Sequence, residues 1–200
     1  MARIIGVNSL HIAEVTSDTV SGTEFGTPKA VPSLMSIDIN DNTESVKFYS
    51  DDTTEQVINA FAGKEVTITL GYISNELEAE LGGNTYKNGV FIQNANNETK
   101  NYAIMFRAPL SKGGYQYVCL YKGVLARTES NYATKEDSVE GQTVTLTGVF
   151  MPLQSSGDVA IKANSTDTGN EALISKWFTQ VPVVSGEKSF ALEGAKAVKK

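Results

Sequence analysis

The segment KEVTITLGY, residues 64–72, constrains the fold more than any other. Val66, Ile68 and Leu70 alternate with Glu65, Thr67 and Thr69. An apolar residue at every second position predicts a strand with one buried and one wet face. The period recurs. SLMSIDIN (33–40) sets Met35, Ile37 and Ile39 against Ser36, Asp38 and Asn40, and ESVKFYS (44–50) sets Val46 and Phe48 against Lys47 and Tyr49. The DNT between them reads as a hairpin link. YAIMFRAPL (102–110), YQYVCLYKGVLAR (115–127) and QTVTLTGVFMPL (142–153) predict three further strands, with SKGG (111–114) as a turn and DVAIKA (158–163) as one more strand. Thr143, Thr145 and Thr147 form an outer row opposite Val144, Leu146 and Phe150, as suits a sheet surface that meets solvent or another subunit. The fold class expected is mainly β: a sandwich or half-barrel of antiparallel strands with one or two short flanking helices and long loops.

Two segments carry helical spacing instead. In SNELEAELGG (74–83), Ser74 or Asn75 can cap, Leu77 and Leu81 lie four apart, and Gly82 stops the run. In NEALISKWFTQV (170–181), Leu173, Ile174, Trp177 and Phe178 make one apolar stripe that should pack on the sheet before Pro182 ends it. TTEQVINAFAG (53–63) fits either period: a capping-box helix with Val57, Ile58 and Phe61 on one face, or a bent strand. Residues 1–32 lack a sustained period and end in FGTPKAVP, whose two prolines remove backbone donors, so they read as an arm crossing a surface. Residues 82–101 are polar and turn-rich around GVFIQ, a long excursion with the look of a projecting hairpin. The expected organisation is an arm over 1–32, one β domain over 33–181 and a flexible tail over 182–200.

Charge narrows the function. The 23 acidic and 17 basic residues give a net charge of −6. Gripping nucleic acid needs a basic surface, because counterion release drives it; this chain is expected to touch DNA only in passing. The first residues make a poor signal peptide, and no run approaches the ~18 apolar residues of a membrane span, so synthesis in the cytoplasm is expected. No phosphate loop, nucleophile elbow, zinc helix or EF-hand loop occurs. DINDN (38–42) lacks the glycine and terminal glutamate of a calcium loop and reads as an Asx turn. Asp51 and Asp52 are adjacent, so on a strand they point apart. Lone His11 falls in the expected arm, and lone Cys119 lies in an apolar strand as a buried hydrophobe. Tyr115, Tyr117 and Tyr121 share a strand face; without interleaved basic residues they read as core or interface rather than a base- or sugar-stacking platform. No enzyme, metal or cofactor is expected.

Taken in order, FGTP (25–28), FYSDDTTEQV (48–57), VTITLG (66–71) before NELEAELGG, CLYKGVLA (119–126), YATKEDSVEGQTVTLTG (132–148) and the segment around Trp177 resemble the major tail proteins of long-tailed bacteriophages (siphoviruses), the subunits of the tail tube. The resemblance spans roughly residues 25–180. It implies a β-sandwich with a flanking helix and makes 53–61 part of a strand pair. It further implies a virion tail protein whose six copies ring a lumen, whose rings stack into a tube that conducts genomic DNA, and whose partners are copies of itself, the tape-measure protein, the tail terminator and distal tail or baseplate proteins. Sheet edges left open in one copy and filled by the next fit that assembly. Candidate lumen-facing residues are Asp38, Glu44, Glu65, Thr67 and Thr69; an acidic wall repels DNA within a screening length of roughly 8 Å and lets it slide. Candidate inter-subunit residues in the arms and loops are Phe25, Pro28, Tyr86, Phe91, Tyr132, Lys135 and Asp137. The competing reading is a monomeric, surface-exposed β-sandwich adhesin or carbohydrate-binding module, which needs an exposed aromatic platform.

Overall fold

Period-two alternation becomes antiparallel pairing through almost the whole chain. The computed structural model describes residues 2–50, 53–129 and 143–183, with the backbone alone over 44–50 and 53–60. The elements in order are β1 (Asn8–Thr19), β2 (Gly22–Phe25), β3 (Lys29–Val31), β4 (Leu34–Ser50), β5 (Thr53–Leu70), α1 (Asn75–Leu81), β6 (Thr85–Lys87), β7 (Val90–Ile92), β8 (Tyr102–Pro109), β9 (Tyr115–Arg127), β10 (Val144–Phe150), β11 (Ala160–Asn164) and α2 (Glu171–Ser175). One nine-stranded sheet runs β2-β1-β8-β9-β10-β5-β4, with β3 also beside β1 and β11 also beside β9; β6 and β7 pair with each other. The fold is mainly β, sandwich-like, with two short helices and no closed barrel among the described residues.

The sheet buries both faces in its middle. Tyr102, Ile104 and Phe106 of β8 and Val118 and Leu120 of β9 enter one core with Leu10 and Ile12 of β1, Val66, Ile68 and Leu70 of β5, and Leu146 and Phe150 of β10. For strands from both ends of the sheet to share a core, the sheet must curl. Helix α1 covers this core with Ala79 and Leu81. It starts as its sequence predicts: Ser74 Oγ accepts from Leu77 N, and Gly82 forms the C-cap. The Tyr102 hydroxyl donates to Glu80 O at 2.8 Å and Arg127 pairs with Glu78 at 3.1 Å, fixing the helix to β8 and β9.

On the other face, Ala103, Met105, Tyr117, Cys119 and Tyr121 meet Leu173, Trp177 and Val181. The stripe expected over 170–181 does pack on the sheet, although only Glu171–Ser175 is helical and Trp177 enters the core from the turn that follows. Cys119 is fully buried, and burial alone pushes its thiol far above the ordinary range, as fits an inert hydrophobe.

Four local differences from the sequence reading have physical causes. Residues 8–31, read within an arm, form β1–β3 inside the sheet, with Leu10, Ile12 and Ala13 buried. The alternation is hidden because β1 shifts register between Asn8 and His11, where Ser9 has φ 58, and because its middle is buried on both faces. His11 therefore sits on a strand, stacked on Phe178 at 4.4 Å. The expected DNT hairpin link is instead a bulge: β4 runs unbroken from Leu34 to Ser50, with Asn42 opposite Gly63 and Thr43 opposite Phe61. Asp38–Asn42 is accordingly strand rather than Asx turn. Residues 53–61 are strand, as the family resemblance implied.

Candidate assembly surface

One bare face of the sheet collects four of the five residues expected to line a lumen. Directly opposed residues in an antiparallel pair share a face. Asp38 lies opposite Thr67, Ser36 opposite Thr69 and Asn40 opposite Glu65 across β4 and β5. Thr145, Thr147 and Val149 of β10 continue the rows beyond Thr69, Thr67 and Glu65. Their neighbours Ile37, Ile39, Val66, Ile68, Leu70 and Leu146 point the other way, into the core. The nine outer residues contain two acids, Asp38 and Glu65, and no base. Glu44 does not join them; it lies beyond the bulge, opposite Ala60.

The second feature is an arm. Strand β10 pairs with β5 only over Lys64–Leu70. From Thr43 to Ser50 and from Thr53 to Phe61, β4 and β5 pair with each other alone among the described residues. Eight residues at about 3.4 Å each carry this hairpin roughly 25 Å past the body of the sheet. It leaves at Gly63, whose φ is +132 and where a Cβ would stand 2.7 Å from Phe150 O. That position tolerates only glycine without backbone movement. Among the described residues nothing pairs with the outer edge of β4, which ends the sheet order. At the other end the return strand is interrupted: β2 stops at Phe25, β3 begins at Lys29, and Pro28 and Pro32 lack backbone donors.

A third projection is the β6–β7 hairpin expected from 82–101. Asn88 (φ 53) and Gly89 (φ 80) form the primed turn between the strands. Tyr86, Val90 and Ile92 are 42%, 55% and 52% exposed, and Phe91, opposite Tyr86, is half-buried. Asn97 Nδ2 donates to Asn84 Oδ1 at 2.8 Å and closes the base.

Phe25 is used within its own subunit: it packs beside Tyr121, with ring centroids 6.2 Å apart, at the margin of the Trp177 core. Pro28 is half-buried on the interrupted edge. Tyr132, Lys135 and Asp137 lie outside the described residues, as does the expected tail beyond Val183. Tyr117 and Tyr121 are 8% and 2% exposed beneath the α2 segment, with Tyr117 5.5 Å from Trp177. Tyr117 and Tyr121 are core and are not a sugar-stacking platform.

Sequence reading missed a part-buried polar knot. Asp18, near the tip of the β1–β2 hairpin, accepts from Lys122 Nζ at 2.7 Å, Thr23 Oγ1 at 2.8 Å and Gln154 N at 3.1 Å. Thr23 also meets Ser155 at 2.7 Å. The Asp18 and Lys122 side chains are 5% and 14% exposed. Burial by itself would raise the Asp18 pKa, but the bonds from Lys122, Thr23 and Gln154 outweigh it and lower the pKa. Thr23 is close in sequence, but Lys122 and Gln154 are 104 and 136 residues away, so nothing in the local sequence announces them.

No protein-family model matches the chain, and no curated protein matches it. Among solved structures, a cryo-EM structure of the anti-feeding prophage cap, which terminates that prophage's tube, aligns with a TM-score of 0.45 and 11% identity, over 82% of this chain and 95% of that one.

Proposed function

We propose that this chain is a structural protein of a phage tail, and more narrowly a subunit of the tail tube. Six copies form a ring, rings stack, and the Asp38–Glu65–threonine face lines the bore through which genomic DNA passes. The observation that carries this reading is the pairing of that bare acidic face with a sheet open along its β4 edge. The ordered motifs between residues 25 and 180 and their resemblance to tail tube subunits point the same way.

The physics of the assembly follows from the edges. An open strand edge templates another strand, and closing the sheet across copies removes the edge. Strands β9, β10, β5 and β4 are consecutive in the sheet. A wall with two acids and no base in its nine central positions gives phosphates nothing to pair with. DNA then slides along threonine hydroxyls and keeps its condensed counterions. The apolar β6–β7 hairpin supplies reach toward the next ring, and Tyr86 and Phe91 are the residues assigned to that contact. Tape-measure, terminator and distal tail proteins are the partners at the bore and the two ends.

Electron microscopy of the purified protein over a concentration series tests the reading. Rings or tubes are expected, and dispersed monomers at every concentration would overturn it. The bore assignment has its own test. Asp38→Lys with Glu65→Lys should leave tubes intact and slow DNA ejection; ejection at the unaltered rate refutes a charge-based role for this face.

A further inference from the structure

We infer that ring closure is directional at the level of single strands: the open β4 edge of one copy accepts the outer edge of the β5 arm of the next. This rests on the tube-subunit reading and specifies which edges meet.

Four edges are described in the main sheet and its arm; the β11 edge is only five residues long, Ala160–Asn164, and carries Lys162, and the other three differ in kind. The β2–β3 edge is broken between Phe25 and Lys29, and Pro28 and Pro32 deprive it of donors. Prolines and interruptions are how an edge is made unable to template a neighbour. The β4 edge is the reverse. From Leu34 to Asn42 it contains no proline, lysine or arginine, and every residue is in strand conformation. The third edge is the side of β5 that faces away from β4. Among the described residues it has no partner from Thr53 to Ala62, because β10 stops opposite Lys64. Ten residues of donor edge thus match nine of acceptor edge in length, and the donor stretch also lacks proline, lysine and arginine.

Acceptor and donor lie on opposite sides of one hairpin, so a copy can give and receive at once. Such contacts are heterologous, and they either close by rotation or continue without end. The bulge between Asn42/Thr43 and Phe61/Gly63 turns the arm relative to the body; bulges add local bend and twist. That turn sets the angle between successive copies and hence the number needed to close.

Hydrogen exchange on the unmodified protein, compared below and above the concentration of assembly, reads the edges directly. Amides of residues 34–42 and 53–62 should slow about tenfold or more on assembly, while those of 22–31 stay unchanged. Slowing at 22–31 without slowing at 34–42 overturns the inference and leaves the tube reading standing. Absence of any assembly overturns the tube reading first. A variant that deletes residues 43–62 and joins Asn42 to Gly63 through a two-residue Asn-Gly turn keeps the acceptor edge and loses the donor. It should be monomeric alone and, mixed with the full chain, should cap it, lowering the mass of the assemblies in proportion to its dose. Rings formed by this variant alone refute the donor role of the arm.

Discussion

Replacing Asp18 by Ala should cost about 3 kcal/mol at neutral pH, most of it through Lys122. The carboxylate receives three bonds at 2.7–3.1 Å, one of them from an ammonium that is only 14% exposed. Removing one member of a buried pair costs about 3–5 kcal/mol, because the remaining charge keeps its desolvation and loses its partner. Access of water to Lys122 argues for the lower end of that range. Two further variants separate the contributions. Asp18→Asn keeps the shape and should lose less than Asp18→Ala. Asp18→Ala combined with Lys122→Met removes both charges and should recover a large part of the loss. Because the folded pKa of Asp18 lies below its ordinary 3.8, its stabilisation is complete above that value and is lost as pH falls through the lower, folded one. Urea unfolding of the four proteins at pH 7 and in steps down toward pH 2 is the assay. The gap between wild type and Asp18→Ala should narrow only in the acid steps. A gap under about 0.5 kcal/mol at pH 7, the value of a surface pair, would refute the reasoning, as would one that is flat with pH.

Gly123→Ala should destabilise by about 2 kcal/mol or more in thermal or urea unfolding, because the new methyl would stand 2.6 Å from the Phe150 ring, itself fully buried. Gly148→Ala should be at least as costly, since its Cβ would lie 2.2 Å from Val124 O, and backbone cannot swing aside as a side chain can. Trp177→Ala should lose about 3–5 kcal/mol and raise dye binding, as the second core opens around Tyr117 and Cys119. Phe91→Ser with Tyr86→Ser should leave unfolding nearly unchanged and shift the assembly threshold to higher concentration, measured by light scattering.

Alternation was enough to read the body of the sheet. Residues 64–70 and their partners on β10 are wet on one face, so their period survives in the sequence and puts Glu65, Thr67 and Thr69 together; that Asp38 joins them and Glu44 does not follows from the β4–β5 register. Helix α1 was legible because Ser74, Leu77, Leu81 and Gly82 each announce a local role. The N-terminal hairpin was not. Its centre is buried on both faces, its strand shifts register, and its return strand is split around Gly26–Pro28, so periodicity, the signal that sequence reading depends on, is cancelled there. The arm failed for the opposite reason. Asp, Asn and Thr at 38–43 are turn formers, but cross-strand pairing through a bulge outweighs their local preference. The shared strand face of the tyrosines was legible too, and Tyr117 and Tyr121 are core, but the Trp177 that covers Tyr117 lies more than fifty residues further along.

The two halves of the strand beside β9 have one more consequence. Phe150 lies opposite Gly123 and Ala160 opposite Leu120, so β10 and β11 occupy the same side of β9 and the chain departs and returns within a few residues of one spot. Between them Leu153 is anchored in the interior and Gln154 is held by Asp18, whereas Ser156 and Gly157 are exposed and Gly157 has open space around it. Extra polypeptide grafted after Ser156 would hang from the subunit without crossing a core or an edge of the ladder. That makes this loop the natural point for a fluorescent label or an epitope, and the place where evolution could decorate such a protein while leaving its architecture alone.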